Sequence, residues 1–296
     1  MTTAPTTSAA PAMTKARRSR WGVHTRTLVP CAIIALIAVG AIFVPVLYGY
    51  DPLRVDLADR LKPPGSVLPN GSIAVFGTDQ IGSDLFAQMM AGARVSLIIG
   101  AATLAIAGVI GVLIGMLAGY YGGWLDTVLM RVADIQLAFP AILLAVLLAA
   151  VLGQGVLNVI IVLSISNWVV FARIARSQVL ALKDREYVEA ARTLGLGNFH
   201  IIFRTLLPGS LPPILVVGTV ELGHVVLAEA ALSFLGVGVP MGTASLGSTI
   251  ANGVQYLSTA WWISTLPGVL LLLLVLATGV LGDAVRDRLD PRLRSL

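Results

Sequence analysis

The sequence predicts an all-α integral membrane protein with six transmembrane helices. Hydrophobic residues make up 57% of the 296-residue chain and charged residues only 12%, whereas soluble domains carry about 25% charged residues. The mean hydropathy of +0.89 agrees with this class. Six apolar segments approach or exceed the length that crosses about 30 Å of hydrocarbon. Polar segments separate them, and most basic residues lie in those polar segments.

The first 47 residues are predicted to comprise a cytoplasmic segment and the first transmembrane helix. Residues 1–27 begin with an uncharged stretch rich in Thr, Ala, Ser and Pro and then carry five basic residues, which is typical of a disordered, basic tail. Residues 28–47 form the helix. This run exceeds the apolar core of a secretory signal peptide, and Val44–Tyr48 is a poor cleavage site, so the helix is predicted to stay uncleaved. Cys31 is predicted to be a small buried hydrophobe.

The rest of the chain divides into an external segment, a membrane core and a basic tail. Residues 48–94 are polar and contain several prolines, which predicts an ordered extracytoplasmic segment. Residues 95–282 form the predicted core, and residues 283–296 form a basic cytoplasmic tail. Five more transmembrane helices are predicted in the core, at 95–120, 135–152, 156–183, 214–232 and 263–281. A charged loop, residues 183–213, separates the fourth of the six helices from the fifth.

A stripe of glycines marks the second predicted helix. The stripe recurs every four residues and consists of Gly111, Gly115, Gly119 and Gly123. Small residues at this spacing let a neighbouring helix approach closely, so we predict helix packing here rather than a functional site.

The distribution of Lys and Arg predicts the orientation of the chain. Six spans place both termini and the charged loop on one side of the membrane. Sixteen of the 20 Lys and Arg residues fall on that side, and Arg54, Arg60, Lys62 and Arg94 fall on the other. By the positive-inside rule, the termini and the charged loop are cytoplasmic. The net charge of +5 is explained by this sorting and does not indicate nucleic-acid binding.

The charged loop is predicted to contain two short amphipathic helices joined at a glycine. The first is Arg185–Leu194, and its apolar side carries Tyr187, Val188, Ala191 and Leu194. Gly195 is expected to stop this helix, because glycine adopts the left-handed conformation without strain. Asn198 is expected to cap the second helix, Phe199–Leu207, and Pro208 to close it. A bent helix pair of this kind suits insertion into a groove on a partner protein.

Several motifs together resemble one protein family. In the charged loop, the residues Glu189-Ala190-Ala191, Arg192, Gly195-Leu196-Gly197 and Leu207-Pro208 are similar to the EAA loop of permease subunits in binding-protein-dependent ABC importers. In the external segment, Gly77-Thr78-Asp79 and Gly82-Ser83-Asp84 resemble a signature of the dipeptide and oligopeptide branch, with Ser83 where the family has arginine. The stretches AGYYGGWLD, MRVADIQLAFP and EAALSFLGVG also look like this family. A tryptophan common near Leu246 is absent, and Thr205 replaces a usual isoleucine.

The resemblance implies a permease subunit with the six-helix, type I importer fold, embedded in the cytoplasmic (inner) membrane and moving dipeptides or oligopeptides. It also implies three kinds of partner: a second homologous permease subunit, two ATP-binding cassette subunits that grip the EAA loop, and an extracytoplasmic solute-binding protein. ATP and Mg²⁺ are then expected in the partner subunits. None of the three lysines of this chain lies in the Gly-x-x-x-x-Gly-Lys-Ser/Thr loop that cradles phosphate, so no cofactor is predicted here.

Catalytic residues and a metal site are not predicted either. The three histidines lie far apart in the sequence and there is one cysteine, so no metal-ligand spacing is present. No nucleophile motif occurs. Asp134, near one end of the third predicted helix, is expected to order that interface together with Arg131.

Four residues are candidates for lining a translocation pathway: Glu221, His224, Asn167 and Trp168. Ionisable groups at membrane depth usually face a cavity or a partner helix. Glu221 and His224 are three residues apart, so they either line the pathway or pair with each other on one helix face. Asn167 and Trp168 either line the pathway or serve in packing.

Other functions fit parts of the sequence. The same type of subunit serves importers of nickel chelates, other metal complexes or glycosides, so the exact solute is not predicted. A secondary transporter driven by an ion gradient would need inverted repeats and a carboxylate relay, whereas the sequence shows no repeat and offers Glu221 alone as a relay. A purely structural membrane subunit is a third class.

Overall fold

The structure is a computed structural model that describes residues 20–49, 51, 55–69, 71–240 and 242–289. The predicted disorder near the N-terminus and the positions of Arg54, Arg292 and Arg294 lie outside these ranges. The described residues form a helical bundle with one antiparallel hairpin in the external segment, β1 (Ser66–Val67) and β2 (Ile73–Ala74).

Ten α-helices are present in the described part of the chain. They are α1 (Arg20–Leu47), α2 (Leu85–Tyr121), α3 (Gly123–Leu137), α4 (Ala141–Leu152), α5 (Val156–Leu182), α6 (Glu186–Thr193), α7 (Asn198–His200), α8 (Leu207–Phe234), α9 (Leu246–Gly253) and α10 (Trp262–Leu289). Five helical segments are long and apolar enough to span a membrane: α1, α2, α5, the continuous run α7–α8, and α10. The bent pair α3–α4 supplies the sixth span of the predicted fold.

Both ends of the described chain are more helical than predicted. Helix α1 begins at Arg20, so residues 20–27 belong to a helix and not to a disordered tail. Helix α10 reaches Leu289 and includes the first seven residues of the predicted basic tail. Cys31 is exposed rather than buried, because α1 lies at the edge of the bundle and packs mainly against α2 and α10.

Helix α2 begins ten residues earlier than predicted, at Leu85 rather than at Val95. The side chain of Asp84 caps it by accepting a hydrogen bond from the backbone N–H three residues later, at 2.9 Å. Its first turns are buried against α1, α9 and α10 through Leu85, Met89, Met90 and Ala93. Arg94, the last residue of the predicted external segment, is exposed on the surface of this helix. The external segment therefore ends at Asp84.

The third predicted span, 135–152, is wrong as a continuous helix. Helix α3 ends at Leu137 and α4 begins at Ala141, with an angle of 89° between them. Pro140 occupies the N-cap position of α4. Because proline lacks a backbone N–H and disfavours helical geometry in the residue before it, α3 ends ahead of Phe139-Pro140.

The glycine stripe brings α2 into direct backbone contact with α5, which confirms the predicted close approach. A β-carbon on any of three glycines would collide with or crowd α5: Gly111, Gly115 and Gly119. At Gly115 it would overlap the carbonyl oxygen of Ala172. Gly123 does not join the stripe, because it starts α3 with a φ of +58° and has nothing within 4 Å of its β-carbon position.

The second short helix of the charged loop does not end at Pro208, as predicted, but continues into the fifth span. The single turn α7 is followed by a π-helical stretch, Ile201–Leu206, and then by α8. Pro208 lies in the first turn of α8, where a helix tolerates the missing N–H. The backbone N–H of Leu207 bonds to the carbonyl of Ile202, five residues back, so a wider helical turn joins the two segments.

The buried core has three parts along the bundle. One joins α1, α2, α8, α9 and α10 near the external segment. A second joins α2, α4, α5 and α8, and the third joins α2, α5, α8 and the charged loop. Helices α2 and α8 contribute to all three, so α2 runs from the external segment to the charged loop through the whole core.

Candidate coupling loop and translocation residues

The inner face of α6 anchors the charged loop to the bundle. Val188 and Ala191 are buried, and they pack with residues of the π-helical stretch, Ile201, Ile202 and Leu206, and with α2 and α5. The predicted apolar side of this helix is only half correct, because Tyr187 and Leu194 are exposed by 47% and 80%. Two small apolar residues are sufficient to hold α6 in place.

The turn after α6 has the geometry that the sequence predicts. Gly195 adopts a φ of +76°, in the left-handed region. Its N–H bonds to the carbonyl of Arg192 at 2.9 Å, and the N–H of Leu196 bonds to the carbonyl of Ala191 at 3.2 Å. These two bonds form a Schellman motif, which satisfies carbonyls at the helix end and fixes the direction of the following chain.

The outer face of the loop is solvent-exposed and partly apolar. Leu194, Leu196 and Phe199 project outward around the turn, and Phe199 is exposed by 75%. The remaining exposed members of the predicted EAA loop are Glu189, Ala190, Arg192, Gly195, Gly197 and Pro208, while Leu207 is half-buried. The loop thus presents apolar side chains next to charged ones on a surface that no described residue of this chain covers.

Asn198 does not cap the second helix, contrary to the prediction. The N-cap position is taken by Gly197, which has no side chain to cap with. The side-chain oxygen of Asn198 instead accepts a hydrogen bond from the hydroxyl of Tyr120 at 2.9 Å. The guanidinium of Arg192 lies 5.7 Å from the centroid of the same ring. Tyr120, at the end of α2, therefore contacts both arms of the loop, a role that its local sequence did not reveal.

Ion pairs connect α3 to α5 beside the loop. The carboxylate of Asp126 accepts hydrogen bonds from Nε and Nη2 of Arg176, at 2.5 and 2.7 Å. Asp134 pairs with Arg173 at 2.6 Å, and not with Arg131 as predicted, because Asp134 faces α5 across the helix interface. The two pairs hold the start and the end of α3 against the same helix.

The candidate pathway residues of α5 are engaged in packing contacts. The side-chain amide of Asn167 donates to the carbonyl of Leu163 in its own helix at 2.7 Å. The indole N–H of Trp168 donates to Oε1 of Gln136 at 2.8 Å. Gln136 in turn donates to the carbonyl of Ile165 at 2.8 Å. The two bonds of Gln136 join α3 to α5.

The candidate pathway residues of α8 contact each other. Nδ1 of His224 lies 3.4 Å from Oε1 of Glu221, which is long for a hydrogen bond. The side chain of Glu221 is exposed by 13% and that of His224 by 64%. The pair is therefore formed, and its histidine end reaches the outside of the bundle.

A fully buried carboxylate, that of Glu229, lies five residues beyond His224 on α8. Glu229 accepts hydrogen bonds from three serine hydroxyls: Ser96 of α2 at 2.5 Å, Ser233 of α8 at 2.8 Å, and Ser245 at 2.9 Å. Ser245 also caps α9, and Leu246, where the family commonly has tryptophan, is fully buried beside it. The sequence gave no sign that these three hydroxyls meet at Glu229.

The external signature folds into a tight turn that holds the start of α2. Gly77 and Gly82 have φ values of +79° and +84°, and a β-carbon on either would collide with neighbouring backbone. Thr78 is buried, and its hydroxyl accepts from the N–H of Lys62 at 2.8 Å and donates to the carbonyl of Asp59. The turn is thereby pinned to the preceding part of the external segment.

Asp79 organises this turn from inside. Its Oδ1 accepts the backbone N–H groups of Ile81 at 3.0 Å and Ser83 at 2.8 Å, whereas Oδ2 is buried without a partner among the described residues. Burial raises the pKa of Asp79 above its ordinary 3.8, against the opposing effect of the backbone N–H groups. Burial likewise raises the pKa of Asp84. Ser83 contributes its backbone, so the turn forms without the family's arginine.

In the described ranges, no three His, Cys, Asp or Glu side chains are grouped closely enough to hold a metal ion.

Comparison with known proteins identifies the family. Residues 111–295 match the family described as "binding-protein-dependent transport system inner membrane component". The chain is 37% identical over 266 residues to the probable D,D-dipeptide transport system permease protein DdpC of Escherichia coli (strain K12), covering 90% of this chain and 87% of the relative.

Two further curated relatives are equally similar. The oligopeptide transport system permease protein OppC of Bacillus subtilis (strain 168) is 38% identical over 275 residues, covering 93% of this chain and 88% of the relative. The nickel transport system permease protein NikC of E. coli (strain K12) is 39% identical over 275 residues, covering 93% and 96%.

Solved structures agree on the fold. The inward-facing MetNI methionine ABC transporter superposes with a TM-score of 0.56 at 22% identity, over 67% of this chain and 94% of that one. This likeness shows the type I permease fold. With the family match and the relatives above, it establishes that the chain is an integral, multi-pass membrane protein and belongs to the binding-protein-dependent transport system inner membrane components.

Proposed function

We propose that this chain is one permease subunit of an ATP-driven importer that moves dipeptides or oligopeptides across the cytoplasmic membrane. Two of the relatives described above are named for dipeptide and oligopeptide transport, which supports this solute class. The external signature and the stretch Glu229–Gly238 also resemble the peptide branch. The proposal assigns no hydrolytic chemistry to this chain, and ATP and Mg²⁺ are held by partner subunits.

The geometry of the charged loop is the observation that carries the proposal. Its inner face is anchored by Val188 and Ala191, and its bend is fixed by the hydrogen bonds at Gly195. Its outer face presents Leu194 and Phe199 to solvent. A bent helical element that is rigid on the inside and apolar on the outside suits a groove on another protein. An ATP-binding cassette subunit is the partner that the family supplies.

The remaining partners follow from the two ends of the bundle. We assign the charged loop and both chain termini to the cytoplasm, because the basic residues concentrate there. The external turn around Thr78 and Asp79 then faces the solute-binding protein. A second, homologous permease subunit completes the membrane part, and each of two ATPase subunits grips one permease.

Transport is proposed to proceed by rocking of the bundle. ATP-driven closure of the ATPase subunits displaces the charged loop, and the buried contacts of that loop pass the displacement to α2, α5 and α8. Glu221 and His224 are the stronger candidates for lining the pathway, because His224 is exposed on the outside of this subunit. Asn167 and Trp168 are weaker candidates, since their polar groups are bound within the bundle.

Co-purification tests the subunit assignment. The tagged chain is extracted in mild detergent from cells that express the whole transport system, and cysteines placed at Phe199 and in the ATPase groove are cross-linked. We expect ATPase subunits to be recovered with the chain and to cross-link through the loop. A lone chain that transports solute with an ion gradient and no ATPase would contradict the proposal.

Reconstitution tests the solute class. Proteoliposomes that contain both permeases and the ATPases are supplied with the binding protein and ATP, and uptake of a labelled dipeptide, a labelled pentapeptide and chelated Ni²⁺ is compared. We expect ATP-dependent uptake of peptide. Uptake confined to Ni²⁺ would contradict the peptide assignment and leave the importer assignment intact. Chelated Ni²⁺ is included because the chain is also similar to a nickel permease.

A further inference from the structure

We propose that Tyr120 is a positioning residue that ties the glycine turn of the charged loop to α2, so that displacement of the loop is transmitted to the external end of that helix. The inference rests on the proposed function, in which an ATPase subunit moves the loop. It adds a specific connection between the loop and one transmembrane helix.

The contacts of Tyr120 lie on both sides of the turn. Arg192, on the last turn of α6, places its guanidinium 5.7 Å from the ring centroid, within the range of a cation–π interaction. Asn198, which opens α7, accepts the hydroxyl hydrogen bond at 2.9 Å. Gly195 lies between these two residues in the left-handed conformation. One side chain thus spans the bend and fixes the distance between its arms.

Other contacts between α2 and the loop are of a different kind. Apolar packing around Val188 and Ala191 holds the inner face of α6, but the hydrophobic effect behind this packing is non-directional. Among the described residues of α2, Tyr120 is the one whose side chain makes polar contacts with the glycine turn; the other polar contact with the loop, from Nζ of Lys183 to the carbonyl of Gly119, is long at 3.5 Å and lies ahead of α6. The directional contacts of Tyr120 define the orientation of the turn, which packing alone leaves free.

Helix α2 is suited to carry a displacement. It contains 37 residues without a proline and is therefore about 55 Å long. Its far end is held by Asp84, and the N–H of Leu85 bonds to the carbonyl of Gly77 at 3.0 Å, so it is joined to the external signature. The glycine contacts with α5 brace its second half. A shift at Tyr120 therefore moves α2, and with it the external turn that is attached to the start of this helix.

The test compares two neighbouring tyrosines. Tyr120→Phe removes the hydrogen bond to Asn198 and keeps the ring next to Arg192, whereas Tyr120→Leu removes both contacts. Tyr121→Phe is the matched control, because Tyr121 is exposed and its hydroxyl makes no hydrogen bond to a described residue. The whole transport system is reconstituted, and peptide uptake and ATP hydrolysis are measured at equal amounts of assembled complex.

The expected result is a change in the number of peptides moved per ATP. Tyr120→Phe should lower this ratio by about two- to tenfold, the range that follows from losing one hydrogen bond of ordinary strength, and Tyr120→Leu should lower it further. Tyr121→Phe should leave it unchanged. The double variant Tyr120→Phe/Asn198→Ala should be no worse than the more severe single variant, because both remove the same contact.

The outcomes separate this inference from the function on which it rests. If Tyr120→Phe and Tyr120→Leu keep the wild-type ratio while the wild-type system transports peptide, the positioning role is refuted and the importer stands. If the variants only reduce the amount of assembled complex and the complex that remains has a normal ratio, Tyr120 has a structural role alone and the inference is also refuted. If no ATPase subunit co-purifies with the wild-type chain, the proposed function itself is refuted, and the role of Tyr120 that rests on it is refuted too.

Discussion

Ser96 and Glu229 are 133 positions apart in the sequence and meet inside the bundle, where the serine hydroxyl donates to Oε2 of the carboxylate at 2.5 Å. Glu229 is fully buried, and no basic side chain of the described residues forms an ion pair with it. Hydroxyl groups alone therefore solvate this carboxylate, and they come from α2, from α8 and from the cap of α9. Together the three hydrogen bonds to Glu229 join α2, α8 and α9 at the end of the bundle nearest the external segment.

We expect Ser96→Ala to destabilise the protein by about 1–3 kcal/mol in the free energy of unfolding, because it leaves Oε2 of Glu229 buried without a donor. Ser164→Ala is the control, since the hydroxyl of Ser164 is buried with no partner among the described residues and its removal should be neutral or stabilising. Thermal unfolding of the detergent-solubilised chain measures both. Equal effects of the two substitutions would contradict the role assigned to this contact.

Two glycines of the charged loop should respond differently to the same substitution. We expect Gly195→Val to lower ATP-dependent uptake by about five- to thirtyfold, because a side chain in the left-handed region costs about 1–2 kcal/mol, and to leave membrane insertion intact. Gly197→Val should lower uptake less than Gly195→Val does, because its φ of −67° and ψ of 157° suit valine and add no backbone strain. Both β-carbon positions are free of neighbours within 4 Å, so the comparison isolates backbone conformation. Wild-type uptake by Gly195→Val would contradict the coupling role of the turn.

The contact between α2 and α5 can be tested with two glycines of one helix. Gly115→Ala should destabilise the protein by about 1–3 kcal/mol, because the new methyl group overlaps the carbonyl of Ala172 and forces the helices apart. Gly108→Ala should be neutral or slightly stabilising, since its β-carbon meets nothing closer than 4.0 Å and alanine favours a helix. The melting temperatures of the two variants are compared in detergent. Similar values would show that the close approach of α2 to α5 is not required for stability.

The external turn should become less stable as the pH rises. Burial raises the pKa of Asp79 above 3.8, so its contribution to stability is fully present below pH 3.8 and is lost as the pH rises through the higher pKa of the folded protein. Asp79→Asn keeps the acceptor for Ile81 and Ser83 and removes the titration. We expect the melting temperature of the wild type to fall, relative to that of Asp79→Asn, as the pH increases from below 3.8 to neutrality. A constant difference across this range would show that the carboxyl titrates normally.

Features with a local cause are predicted well from the sequence. The left-handed turn at Gly195 and the close packing at Gly115 follow from the absence of a side chain, and the six apolar segments follow from hydropathy alone. The bend at Pro140 also had a local signal, which the apolar run around it obscured. Pro208 led to the opposite error, the prediction of a helix end where the helix continues. In sequence, a proline that ends one helix cannot be told from a proline that begins the next, and here only the π-helical turn before Pro208 distinguishes them.

Contacts between distant residues were beyond the sequence. Tyr120 and Asn198 are 78 positions apart, and the partners of Glu229 come from three elements whose arrangement is a property of the bundle. The same holds for Asp134, which the sequence associates with Arg131 of its own helix and which pairs with Arg173 of α5. Helical periodicity indicates which neighbours share a face, but it contains no information on which helices become adjacent.

The right-angle bend between α3 and α4 has a consequence for the lipid around the protein. Helix α4 has 12 residues and is about 18 Å long, well short of about 30 Å of hydrocarbon, and the 89° bend means that the pair α3–α4 reaches across less of the membrane than an unbroken helix of the same number of residues. Leu143, Leu147 and Val151 face outward, so wherever no neighbouring chain covers them, the acyl chains beside them meet an apolar helix shorter than the hydrocarbon layer. The conformation of this part of the subunit is consequently sensitive to bilayer thickness.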